Sequence, residues 1–67
     1  MLATYNITGE WFLNLEELVE HIEELGYEVL EANREYVVIY NAEREEEYIA
    51  YLGGTERTIY INKFKVA

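Results

Sequence analysis

Between Leu15 and Leu25 the apolar residues recur at helical spacing: Leu15, Leu18, Val19, Ile22 and Leu25 fall on one stripe. At about 100° per residue, Glu16, Glu17, Glu20, Glu23 and Glu24 take the opposite face and His21 lies on the border. The pattern predicts an amphipathic helix over 15–25. Asn14 suits the N-cap, and Glu17 three residues on completes a capping box. Leu13 and Leu18 stand at the spacing of a hydrophobic staple, and Glu16 and Glu17 favour the positive end of the helix dipole. Gly26 is placed to end the helix in a left-handed conformation, with Tyr27 packing back on Ile22 in a Schellman motif.

Beyond Gly26 the period shortens. Residues 28–32 and 35–41 are rich in β-branched and aromatic side chains, with Asn33-Arg34 between them as a tight turn. Residues 58–66 form another strand, with Ile59 and Ile61 pointing one way and Tyr60, Asn62 and Phe64 the other. Before the helix, residues 2–8 read as a strand ending at Gly9, followed by Trp11 and Phe12 as bulky core or rim anchors. Residues 42–52 admit two readings. As a strand, Glu46 to Leu52 follows a loop at 42–45 and precedes a Gly53-Gly54 turn. As a helix, 42–52 would give a βαββαβ split fold. The β-branched and aromatic content favours the strand. The expectation is an α+β domain, one helix packed on a three- to four-stranded antiparallel sheet, spanning 1–67 as a single unit.

The strands are apolar on both faces: Val37 and Ile39 on one, Tyr36, Val38 and Tyr40 on the other. A sheet covered on one face only should alternate apolar with polar. The second face is therefore expected to dimerise, to pack against the N-terminal segment, or to bind something. Seven tyrosines in 67 residues suit such a role, because the ring is apolar and its tip is polar.

Charge changes the picture most. All fourteen acidic residues are glutamates, against five basic residues, for a formal charge of −9. Residues 1–56 hold all fourteen glutamates and two arginines, a net of −12, whereas residues 57–67 hold Arg57, Lys63 and Lys65 with no acid, a net of +3. So acidic a chain repels phosphate backbones, and direct high-affinity nucleic-acid binding is not expected. An electropositive protein partner is expected instead, with a homodimer through the sheet face as a second form of association. Aspartate, serine, glutamine, proline and cysteine are absent, which removes disulfides and thiolate metal sites. No basic-then-apolar leader opens the chain, and no run approaches the ~20 apolar residues of a bilayer span. A soluble cytoplasmic protein is the expectation.

Candidate chemistry is sparse. The glutamates fit no calcium-loop spacing, a single histidine builds no zinc site, and Gly53-Gly54-Thr55 lacks the lysine of a phosphate loop. There is no serine or cysteine nucleophile, and no threonine or tyrosine has a base spaced to serve it. No catalytic residue, cofactor or metal is therefore assigned. In size and charge the chain resembles small acidic α+β inhibitors of nucleic-acid enzymes, such as phage-encoded anti-restriction and anti-CRISPR proteins. The likeness carries no residue roles. It implies a viral, non-enzymatic inhibitor that mimics nucleic acid. The expected contacts are Glu16, Glu20, Glu23 and Glu24 on the helix and Glu43, Glu45, Glu46 and Glu47 in the loop run, with Tyr36, Tyr40 and Tyr60 as anchors. The alternatives are a small homo-oligomeric structural or scaffold protein, and a small enzyme or ligand-binding domain.

Overall fold

The computed structural model describes residues 10–55 and 57–67. The strand expected at 2–8 lies outside the described residues. One helix, α1 (Leu15–Glu24), is followed by four strands: β1 (Glu28–Ala32), β2 (Tyr36–Asn41), β3 (Glu46–Gly54) and β4 (Ile59–Val66). The strands form an antiparallel meander in the order β1-β2-β3-β4. The helix packs on one face, giving the expected α+β arrangement. Residues 42–52 are loop and strand, so the split βαββαβ alternative is overturned.

The helix starts and stops where its caps dictate. The Asn14 Oδ1 accepts from the Glu17 amide at 2.8 Å. At the other end Gly26 sits at φ 96, its amide donates to the Glu23 carbonyl, and the Tyr27 amide donates to the Ile22 carbonyl. That is the Schellman pattern. Leu18 and Ile22 are buried, against Val37 and Ile39 of β2, Ala50 of β3, and Ile59 and Ile61 of β4. Phe12 closes this core from the edge, exchanging two backbone hydrogen bonds with Ile59.

The burial stripe is narrower than its spacing implies. Leu25 is the cap residue and 62% exposed, and Leu13 is 71% exposed, so neither the fifth stripe position nor the staple is filled.

With no aspartate or serine in the chain, asparagine and threonine close the three turns between strands. The Asn33 Oδ1 accepts from the Glu35 and Tyr36 amides. The Asn41 Oδ1 accepts from Glu43 and Arg44, and the Thr55 Oγ1 from Arg57 and Thr58. Two turn positions therefore differ from expectation. The first turn centres on Arg34 and Glu35, one residue later, because the Asn33 side chain anchors it and β2 begins at Tyr36. Gly53 and Gly54 belong to β3, and the turn follows at Thr55–Thr58. Glycine is required at 54 because an added Cβ would lie 2.3 Å from the Thr58 carbonyl oxygen.

Two β-bulges set the faces. On β1, Val29 pairs with Ile39 and Glu31 with Val38, leaving Leu30 as the extra residue. On β4, Leu52 faces Ile61 while Tyr51 faces Lys63, leaving Asn62 extra. An extra residue reverses the alternation that follows it. Phe64 consequently turns to the same face as Ile59 and Ile61, pairing with Ala50 and stacking on Tyr48 at 5.1 Å, where simple alternation had placed it opposite.

Candidate functional site

The molecule presents two unlike surfaces on opposite sides of the sheet. On the outer face of α1, Glu16, Glu17, Glu20, Glu23 and Glu24 are all exposed. At 100° per residue they fill an arc of roughly 120° opposite Leu18 and Ile22. Among the described residues the one ion pair is His21 Nε2 to Glu10 Oε2 at 2.9 Å, so none of these five carboxylates has a cation beside it. His21 also tilts against Phe12 at 5.2 Å, a half-buried helix position.

The acidic run of residues 43–47 is divided by the fold. Glu43 and Glu45 are exposed in the β2–β3 loop, and Glu45 takes φ 54. Glu46 and Glu47 open β3, where alternation sends them to opposite faces. Glu46 points to the helix side near Tyr48, and Glu47 pairs with Tyr40 on the other. The loop meets the end of α1 around a concavity of about 180 Å³ lined by Leu25, Gly26, Tyr27, Asn41, Ala42 and Glu43. The loop thus sets Glu43 beside the C-terminal end of α1.

The opposite face of the sheet carries the tyrosines. In register across the strands stand Glu28, Tyr40 and Glu47; then Glu31, Val38, Ile49 and Lys65; then Tyr36, Tyr51 and Lys63. Among the described residues Trp11 covers this face at Tyr60. Tyr36, Val38, Tyr40 and Ile49 are half-buried, and Tyr51 is exposed. The Tyr36 hydroxyl donates to the Glu31 carboxylate, and that bond, chiefly, raises the Tyr36 phenol above its ordinary value of 10.0. Burial, then the charge of Glu46, raises Tyr48 in the same direction.

The candidate residues thus separate. Glu16, Glu20, Glu23 and Glu24 share the acidic flank of α1, and Glu43 stands beside the end of that helix. Glu45 is exposed in the loop and Glu46 points to the helix side, while Tyr36, Tyr40 and Glu47 share the open sheet face. Tyr60 is available to neither surface: it is 4% exposed, lying over Gly53 with the edge of Trp11 against its ring at 4.8 Å. Trp11 itself is 58% exposed and extends the open face. Sequence reasoning set Val38 with Tyr36 and Tyr40 but passed over Ile49, Tyr51, Lys63 and Lys65 as surface partners of these tyrosines. Their common face follows from strand alternation once the register is known.

Among the described residues no polar or charged group is buried, and no three metal-ligating side chains converge. No described helix is long and apolar enough to cross a membrane. No family model matches the chain, and no curated protein or solved structure is significantly similar to it.

Proposed function

We propose that this domain is a non-enzymatic protein-interaction module, an acidic inhibitor that occupies a basic nucleic-acid groove of a partner protein. The carrying observation is the exposed run of five carboxylates along α1 with no described cation paired to them. Ten residues at about 1.5 Å each make a helix about 15 Å long, so the run holds one negative charge per ~3 Å. One strand of B-DNA carries one per ~3.4 Å. A groove lined by Arg and Lys would gain charge-assisted hydrogen bonds from this face, and the field of the whole chain would speed the encounter.

The test is capture from host lysate at low and high salt, followed by competition of the captured protein with duplex DNA and RNA. Expected is a partner released by salt and displaced by nucleic acid. Replacing Glu16, Glu20, Glu23 and Glu24 together by glutamine should lower its affinity by about tenfold or more and flatten the salt dependence. Binding that ignores salt, persists in excess nucleic acid, or survives the fourfold substitution would refute the proposal.

A further inference from the structure

The open sheet face has a charge polarity that selects its own occupant. Its β1 edge carries Glu28 and Glu31, its β4 edge carries Lys63 and Lys65, and Val38, Ile49, Tyr36, Tyr40 and Tyr51 lie between. With Glu47 the face holds three carboxylates against two ammonium groups, close to neutral in a chain of charge −9. One register row reads acid, apolar, apolar, base: Glu31, Val38, Ile49, Lys65. That row is complementary to itself when reversed.

We infer that this face docks a second copy of the chain, the two sheets stacking face to face about a two-fold axis parallel to the strands. Such an axis reverses strand order while keeping position along the strands. It sets Glu31 over the second copy's β4 edge at Lys65 and Val38 over its Ile49, each contact occurring twice. An axis across the strands would instead set β1 on β1, placing Glu31 against Glu31 and Lys65 against Lys65. Like charges directly opposed disfavour that arrangement. Stacked sheets lie about 10 Å apart with strands within about 30° of each other, within reach of glutamate and lysine side chains. Both helices then face outward, so the acidic flank takes no part in the contact.

The contact is small. Four strands about 4.8 Å apart and about 20 Å long give a footprint of about 400 Å², half of the ~800 Å² per partner in a standard stable interface. Association is therefore weak and concentration dependent.

Sedimentation velocity on the full chain, from about 10 µM to about 2 mM, tests this. The mean mass should climb from the 8.0 kDa of one chain toward twice that value. Glu31→Lys and Lys65→Glu should each weaken association about tenfold or more, because each sets like charges in opposition twice. An equimolar mixture of the two variants should associate again. The double swap E31K/K65E in one chain should also dimerise; weakened single variants together with a restored double swap are the combination that only the axis parallel to the strands gives. Circular dichroism of each variant separates lost docking from lost folding, and the double swap keeps the full set of charges. A chain monomeric to ~2 mM, a dimer indifferent to Lys65→Glu, or a folded double swap that stays monomeric would overturn the inference. None of these readings depends on the partner of the acidic helix.

Discussion

Glu20 has four like-charged neighbours on α1: Glu16 and Glu24 four residues away, Glu17 and Glu23 three away. Such pairs stand about 5–6 Å apart, and each costs about 0.2–0.5 kcal/mol. Glu20→Gln should therefore stabilise the domain by about 1 kcal/mol at low salt, and Glu20→Lys by about 2 kcal/mol as repulsions become attractions. Gln, Lys and Glu have nearly equal helix propensity, so the change isolates charge. A chain of this size has roughly 3–10 kcal/mol of stability in all, and about 1 kcal/mol moves its midpoint temperature by about 4–8 °C. Urea unfolding at about 10 mM and at about 1 M salt provides the assay, since the Debye length falls from ~30 Å to ~3 Å and should erase most of the gain. The same substitutions should weaken binding to the electropositive partner. A carboxylate that costs the fold stability yet supports binding is what the proposed function requires. If Glu20→Gln leaves stability unchanged at low salt, or its gain is undiminished at high salt, the crowded-charge account fails.

Leu18→Ala should cost about 3–5 kcal/mol, since Leu18 is fully buried and the helix brings only Ile22 as a second buried anchor. Leu25→Ala, at a 62% exposed position, should stay within about 0.5 kcal/mol, and equal losses in the two urea midpoints would refute the stripe as observed. Glu45→Gly should raise the urea midpoint by up to about 1 kcal/mol in stability, because Glu45 at φ 54 bears the left-handed penalty that glycine escapes. The Tyr36 phenol is raised by the fold, so its contribution to stability is complete below its unfolded value of 10.0 and lost as pH climbs through the folded value. Stability should therefore fall above that pH, less steeply in Tyr36→Phe. Absorbance titration at the tyrosinate band would refute this if the variant removed an early-titrating ring instead of a late one.

Where local signals agreed, the chain was legible. Asn14, the Leu18/Ile22 spacing and Gly26 each place α1 independently, and the hydrogen bonds at both ends follow the reading. Glu28–Ala32 was equally plain, because composition and turn residues coincide, whereas residues 42–52 admitted both a strand and a helix. What stayed hidden was decided by partners across the sheet. The extra residues at Leu30 and Asn62 are visible only as register shifts, so nothing local places Phe64 beside Ile59 and Ile61. Tyr60 looked like an anchor because alternation puts it on the open face. The Phe12–Ile59 pairing that brings Trp11 onto its ring joins residues far apart in sequence. The candidate site failed as a single surface for a related reason. Val37 and Tyr36 were assigned to opposite faces from the start, but only the position of the helix decides which face lies with the glutamates.

That division allows the two proposed contacts to operate together. Their perturbations should be separable, as sites more than about 7–10 Å apart with no shared partner usually add to within about 0.5 kcal/mol. Long-range charge is the one route for coupling them, since Lys65→Glu makes an already acidic chain more so. At physiological salt the Debye length is about 8 Å, and even the shortest principal extent of the molecule is 19 Å. A lysine reversed on the sheet face is thus largely screened from a groove gripping the helix. Lys65→Glu should weaken self-association while leaving affinity for the basic partner nearly unchanged, and Glu20→Gln should do the reverse. If both substitutions weakened both contacts by the same factor, the two faces would be acting as one site. The sheet would then be no barrier between them.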